Sequence, residues 1–206
     1  MARQGTQQAQ QDWPRSICVF CGASQGVPAA HVTLAQELGR QLAAAGITVV
    51  YGGARRGLMG ALADATLQAG GRMVGIIPEY LVDLEVAHRG LHELLVVDSM
   101  HERKRLMTER SDAFCVLPGG IGTLEETFEA LTWAQLGLHA KPLVFLDPDG
   151  FWDKLEQLLQ TMENQGYLRV PTNRVLHRVA TPQALLEALR SFQPAVTPGL
   201  LQQQRG

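Results

Sequence analysis

Cysteine and lysine are both scarce in this sequence, and each scarcity excludes a class of protein. The 206 residues include three cysteines. This odd number does not make a disulfide framework, so a reducing, cytoplasmic location is expected. Only three of the 18 basic residues are lysine, and the formal net charge is −2. This balance argues against a broad electrostatic surface, and we expect no nucleic-acid or membrane partner. The excess of arginine suits localised recognition of an oxyanion.

The sequence also lacks any long apolar run. No stretch approaches the roughly 20 residues needed to span a bilayer, and the N-terminal segment has no apolar core of the signal-peptide type. We therefore expect residues 1–14 to be a disordered extension and residues 193–206 a loose tail. A chain of 206 residues can bury a core without a metal or disulfide, and a single domain is predicted over residues 15–192.

Between these termini, short apolar segments alternate with helical patterns. Seven segments are predicted as strands: 16–22, 47–53, 72–78, 93–98, 112–118, 141–147 and 175–180. Several of them are apolar on both faces, which indicates a parallel sheet covered by helices and joined by right-handed crossovers. The predicted fold class is α/β: a Rossmann-like, doubly wound parallel sheet of about seven strands, in one domain.

In such sheets, ligands bind beyond the carboxyl ends of the strands. Small and polar residues follow several of the predicted strands, and they are Gly22 to Ser24, Gly52 to Ala54, 78–85, Ser99 and Pro118 to Gly120. We expect all of them to face one crevice.

The cysteines and histidines show no pattern of a redox or metal site. Cys18 and Cys21 form C-x-x-C, but they lie in a predicted strand, where residues three apart point to opposite faces. A redox pair instead needs a helix start. The six histidines have no ligand spacing. We predict no metal site and no cofactor.

The sequence PGGIGT, here called the PGGIGT loop (residues 118–123), has the features of an anion site. Its glycines allow backbone N–H groups to approach an oxyanion directly before a helix, whose N-terminus is partly positive. It is not a Walker A loop, because no Lys-Ser/Thr pair follows. Glu125 occupies the third glycine position of G-x-G-x-x-G and would repel a pyrophosphate. The loop therefore favours a monophosphate, held by Gly120, Gly122 and Thr123.

A second glycine-rich stretch, YGGARRGLMG, also precedes a helix and is called the glycine loop (residues 51–60). Two interpretations stay open. Gly53 and Gly57 would admit backbone contacts to a ligand, with Gly60 allowing close helix packing, or all three glycines serve only the tight turn between strand and helix.

The two glutamates after the PGGIGT loop also allow two interpretations. Thr123 and Glu126 match the capping box S/T-x-x-E, with Thr123 as N-cap, and acidic residues are favoured in a first helical turn. Alternatively, one of them carries chemistry. Adjacent helical residues point about 100° apart, so Glu125 and Glu126 are not expected to share a role.

The segment SMHERKRLM predicts a helix that starts near Ser99. Arg103 and Met107 would share one face, with Lys104 on a neighbouring face. Basic residues this early oppose the helix dipole, so either an anion compensates them or neighbouring glutamates pair with them on a solvated surface.

Three of these motifs, taken in order, resemble the Lonely Guy family of cytokinin riboside 5′-monophosphate phosphoribohydrolases. PGGIGTLEE (118–126) resembles the family signature P-G-G-x-G-T-x-x-E, SMHERK (99–104) its M-H-x-R-K element, and YGGARRGLMG its glycine loop. The resemblance spans about residues 15 to 180. Some relatives carry an old lysine decarboxylase label, but no pyridoxal phosphate site is readable in the sequence.

The resemblance implies hydrolysis of the N-glycosidic bond of AMP or an N6-modified AMP, with Arg103 and Glu126 as the catalytic pair. It also implies a homodimer. The predicted nucleotide-binding residues are Gly22, Ser24, Gly53, Glu85, Met100, Lys104, Gly119, Gly120, Ile121, Gly122, Thr123, Glu125 and Thr132. The alternative is a nucleotide-binding sensor or carrier without turnover on the same fold. An oxidoreductase that uses a dinucleotide is disfavoured, because this sequence lacks the dinucleotide-binding fingerprint.

Overall fold

A computed structural model of the chain describes residues 14–84, 86–168, 171–172 and 176–192. The strands are β1 (Ser16–Phe20), β2 (Thr48–Tyr51), β3 (Met73–Pro78), β4 (Glu93–Val97), β5 (Ala113–Val116), β6 (Leu143–Leu146) and β7 (His177–Val179). They form one sheet in the order β4-β3-β2-β1-β5-β6-β7, and every neighbouring pair is parallel. The predicted parallel sheet is confirmed.

Helices cover both faces of this sheet, as the apolar strands required. The helices are α1 (Ala29–Ala44), α2 (Gly57–Gln68), α3 (Met100–Glu109), α4 (Ile121–Gln135), α5 (Asp153–Asn164) and α6 (Pro182–Arg190), with a 3-10 turn at Glu79–Leu81. Apolar residues of α1, α2 and α6 share one core cluster. Those of α3, α4 and α5 share the cluster on the other face. The doubly wound arrangement is therefore confirmed.

The two cysteines of C-x-x-C illustrate how the strand alternation distributes side chains. Cys18 packs in the cluster with α3, α4 and α5, whereas Cys21 packs in the cluster with α1, α2 and α6. The prediction that they point to opposite faces is confirmed. Both thiols are free and buried, as is that of Cys115.

The strand order reverses between β1 and β5, and this switch point determines where a ligand site can form. The loops after these two strands meet there, because the Gly22 backbone N–H donates to the Pro118 carbonyl at 3.2 Å. In doubly wound sheets, the crevice beyond such a reversal is the usual ligand site. The PGGIGT loop lies directly at this point.

Among the described residues, no helix is long and apolar enough to cross a membrane. The predicted tail and all of the predicted extension except Pro14 lie outside the described residues. Those two expectations, and the domain limits that depend on them, stay predictions.

The buried thiols give a first test. Burial raises the pKa of the Cys18, Cys21 and Cys115 thiols, and thiolate is the reactive form. We expect no thiol to react with a disulfide reagent in the native protein at pH 8, and all three to react in denaturant. Spectrophotometric titration measures both. Rapid native labelling of Cys18 or Cys21, or an oxidised bond between them, would contradict this placement.

Candidate active site

The PGGIGT loop turns directly from β5 into α4, and glycine makes that turn fit. A Cβ on Gly119 would lie 2.1 Å from the Thr123 hydroxyl, whereas a Cβ on Gly120 or Gly122 would meet nothing within 4 Å. Gly119 is thus needed for packing, and Gly120 and Gly122 border open space. The N-cap of α4 is Gly120, with no side-chain cap bond and no acidic residue in the first turn. Such a helix start attracts an anion.

The capping-box interpretation of Thr123 and Glu126 is wrong. Helix α4 begins at Ile121, so Thr123 is its third residue and Glu126 its sixth. The N-cap is Gly120, so the helix begins three residues earlier than it would with Thr123 as its cap. Thr123 is buried, and its carbonyl accepts from the Thr127 hydroxyl at 2.6 Å. Glu126 therefore lies in the second turn of the helix, beyond the third position that a capping box requires.

Arg103 is brought to the same place from the other side by α3. The Ser99 hydroxyl caps this helix by accepting from the Glu102 N–H at 3.1 Å, which confirms the predicted helix start. Arg103 is only 4% exposed and shares its buried face with Met107, as predicted. Its Nε donates to the Ile76 carbonyl at 3.1 Å, and its NH2 group donates to the Gly52 carbonyl at 3.0 Å.

The two predicted catalytic residues meet at this point. The Arg103 NH1 group lies 3.9 Å from the Glu126 Oε1 atom, and the two side chains are 5% and 6% exposed. A carboxylate and a guanidinium interact far more strongly in such surroundings than in water. Glu126 lies on α4 three residues after the PGGIGT loop, a little less than one helical turn. The structure thus places an uncapped helix start next to a buried ion pair.

The glycine loop makes room for the arginine. A Cβ on Gly52 would lie 2.0 Å from the Arg103 NH2 group. Gly53 has φ +80° and is packed against Ile77, and its carbonyl accepts from the His88 N–H at 2.9 Å. Gly60 lies against the Arg55 backbone, where a Cβ would approach to 2.3 Å. These contacts show that Gly52, Gly53 and Gly60 are tightly packed in the turn between β2 and α2. A ligand contact for Gly53 stays a prediction.

Lys104 joins α3 to α4 beside the Arg103–Glu126 pair. Its Nζ donates to Glu125, and to Glu129 at 3.0 Å. Burial lowers the pKa of Lys104, but the hydrogen bonds to these carboxylates outweigh burial and raise it above its usual value. Lys104 therefore stays charged at neutral pH.

The other predicted binding residues are not all at the crevice. Gly22 and Ser24 follow β1 at the switch point, and the Met100 sulfur lies 3.5 Å from the Arg103 NH1 group. Ile121 is the first residue of α4 and is exposed. Thr132 is exposed three turns along α4, about 16 Å from the helix start at 1.5 Å per residue, and its hydroxyl donates to the Phe128 carbonyl.

Glu85 lies outside the described residues, but the segment around it is well anchored. His88 is 5% exposed, its Nε2 lies 3.0 Å from Asp64 Oδ1, and its Nδ1 accepts from the Gly90 N–H. Since Nδ1 accepts, Nε2 carries the proton. Sequence reasoning missed His88, because no periodic pattern marks this segment. It also missed Glu129, although its position one turn after Glu125 was a usable signal.

Among the residues that the structure describes, no group of three or more histidine, cysteine or acidic residues could hold a metal ion.

The fold and the site define a Rossmann-like α/β protein in which an uncapped helix start lies beside a buried carboxylate. A family model described as "Possible lysine decarboxylase" matches residues 59–189. The chain is 45% identical over 179 residues to the cytokinin riboside 5′-monophosphate phosphoribohydrolase of Rhodococcoides fascians, covering 86% of this chain and 90% of the relative. It is 40% identical over 187 residues to the Oryza sativa subsp. japonica enzyme LOG, covering 91% and 77%.

Solved structures agree on the fold. The molybdenum cofactor binding protein of Rippkaea orientalis superposes with a TM-score of 0.66 at 22% identity, covering 85% of this chain and 95% of that one. The molybdenum cofactor carrier protein of Chlamydomonas reinhardtii gives 0.64 at 20% identity, with the same coverage. This chain belongs to the Lonely Guy family of cytokinin riboside 5′-monophosphate phosphoribohydrolases, as its motifs predicted.

The contact between Gly52 and Arg103 gives a second test. We expect Gly52→Ala to lower stability by about 1–3 kcal/mol, because the new Cβ overpacks a buried, hydrogen-bonded guanidinium. Gly120→Ala is the matched control in the other loop and should leave the melting temperature unchanged. Thermal unfolding measures both. Equal melting temperatures for wild type and Gly52→Ala would show that Arg103 is not held as described.

Proposed function

We propose that this protein hydrolyses the N-glycosidic bond of purine nucleoside 5′-monophosphates and releases the free base and ribose 5-phosphate. The substrates are AMP or N6-modified AMP such as isopentenyl-AMP. The observation that carries the proposal is the buried Glu126 carboxylate, which faces Arg103 at 3.9 Å beside an anion-binding helix start. The names of relatives at 39–45% identity support the same reaction.

The PGGIGT loop is proposed to hold the 5′-phosphate. Gly120, Ile121, Gly122 and Thr123 offer backbone N–H groups at the start of α4, and no side chain caps that helix. One phosphate satisfies this site. Because Glu125 and Glu126 follow on the same helix, additional phosphates would meet negative charge. The site therefore favours a monophosphate over a diphosphate or dinucleotide.

Glu126 is proposed to act on the ribose. As the bond between C1′ and N9 breaks, its electron pair leaves with the base and positive charge develops on the ribose. A nearby carboxylate stabilises that charge, as in glycoside hydrolysis. Water then bonds to C1′ through its oxygen, and Glu126 orients it and accepts its proton. The departing base takes up a proton at a ring nitrogen.

Arg103 is proposed to fix the geometry of this step. A guanidinium does not lose its proton in proteins, and the carbonyls of Gly52 and Ile76 hold this one in place. It therefore supplies a constant positive charge that orients the Glu126 carboxylate. Gly22, Ser24, Met100 and the residues of the 79–92 segment, Glu85 among them, are proposed to surround the nucleoside.

A substitution of Glu126 tests the reaction. We expect purified protein to release base from AMP and isopentenyl-AMP, and Glu126→Gln to lower kcat by at least about 100-fold, a typical general-base contribution. Glu109→Gln, which removes an exposed carboxylate at the end of α3 that pairs with Arg105, is the control and should retain the wild-type kcat. Chromatography of the free base measures each rate.

Cleavage of AMP at an unchanged rate by Glu126→Gln would eliminate this carboxylate as the catalyst. Intact nucleotide after long incubation with wild type, combined with thermal stabilisation by AMP, would instead identify a binding protein without turnover.

We further propose a cytoplasmic homodimer that pairs through the outer face of α4. Ile121 and Phe128 lie two turns apart on this face and are 82% and 38% exposed, and Leu138 just beyond the helix is 59% exposed. The charge of Glu125, on the same face, is balanced by Lys104. A nearly neutral apolar face can pair with its own copy about a twofold axis. The free, buried thiols suit a reducing compartment.

The dimer has its own test. The molar mass of wild type from light scattering should be twice the 22.5 kDa of one chain. Phe128→Glu should be a monomer, because dimerisation would bury the new charge at the contact. Leu158→Glu changes a leucine on α5 that is 55% exposed, and this variant should stay dimeric. A monomeric wild type, or dissociation by Leu158→Glu alone, would place the contact elsewhere or eliminate it.

A further inference from the structure

Two ion pairs join helices α3 and α4 at neighbouring positions. Arg103 faces Glu126, and the next residue on α3, Lys104, faces the preceding residue on α4, Glu125. Lys104 also reaches Glu129, one turn further along α4. The three side chains of this second set, Lys104, Glu125 and Glu129, are called the lysine bridge.

The lysine bridge is more than a surface ion pair. The Lys104 side chain is 12% exposed and that of Glu129 is 23% exposed, so solvent screens their attraction less than that of an exposed pair. Glu125 and Glu129 are four residues apart on one helix, and like charges at this spacing repel. The single ammonium removes that repulsion and fastens both carboxylates to α3.

The catalytic pair depends on the spacing that this bridge sets. Arg103 is fixed by the sheet, because the carbonyls of Gly52 and Ile76 accept from its guanidinium. Glu126 is carried by α4, so the position of α4 relative to α3 contributes to the 3.9 Å separation between the two charged groups. Misplacing a catalytic group by about 1 Å can cost roughly 100-fold in rate.

We propose that Lys104, acting through Glu125 and Glu129, is a positioning residue that holds Glu126 at its working distance from Arg103. This inference rests on the proposed function. It differs from the prediction that Lys104 binds the nucleotide, because the bridge acts between helices and needs no contact with substrate.

Kinetics of Lys104→Met and Glu129→Gln separate these two roles. If the bridge positions Glu126, both variants lower kcat, by about 10-fold or more for Lys104→Met, and both leave KM and the affinity for ribose 5-phosphate within about 2-fold of wild type. The double variant should be no slower than Lys104→Met, because both changes break one bridge. Arg105→Met, which removes an exposed arginine paired only within α3, is the control and should match wild type.

A charge exchange provides the rescue. Combining Lys104→Glu with Glu129→Lys returns one ammonium and two carboxylates to the bridge, with the cation now on α4. We expect this double variant to recover most of the kcat that Lys104→Glu alone loses. A nucleotide contact by Lys104 would not be restored by this exchange.

Three outcomes would overturn the proposal: a raised KM with unchanged kcat in Lys104→Met, wild-type kinetics in Glu129→Gln, or no recovery in the exchange variant. If Lys104→Met does not fold, Glu129→Gln and the exchange variant still test whether the bridge positions Glu126. Absence of base release by wild type itself would reject the proposed function, and that result is obtained before any variant is measured.

Discussion

The site depends on one buried cation, the guanidinium of Arg103. Burying a charge is costly unless hydrogen bonds and an opposite charge compensate it. Here, the carbonyl of Gly52 directly after β2, the carbonyl of Ile76 within β3 and the carboxylate of Glu126 provide that compensation. These two strands therefore bind a residue of the protein itself. The Glu126 carboxylate faces this guanidinium at 3.9 Å, and the uncapped start of α4 lies little more than one turn before that carboxylate.

The glycines of the two loops serve this arrangement in different ways. Gly52 and Gly119 leave no room for a Cβ, because Arg103 and Thr123 occupy the space beside them. Gly120 borders open space at the N-terminus of α4. A glycine-rich motif here combines tight packing with an open approach to backbone N–H groups. Only the second kind of glycine is suited to contact a phosphate.

The fold and the position of the site were predictable because they depend on local patterns. Strand alternation, a helix start near Ser99 and the shared face of Arg103 and Met107 can each be predicted from residues that are close together in the sequence. The prediction that Thr123 caps the helix was wrong. The sequence matches the capping-box pattern, but the helix already begins after Gly120. The His88–Gly53 contact was missed because it joins segments with no common periodicity. Contacts of that kind need the tertiary structure.

We expect the nucleotide to bind with its phosphate on the start of α4 and its ribose facing Glu126. A crystal structure of Glu126→Gln with AMP tests this most directly, because the variant should retain the intact nucleotide. We expect the phosphate on the N–H groups of residues 120–123 and C1′ toward the side chain at position 126. A phosphate bound elsewhere, or a base in place of the ribose at position 126, would contradict the account.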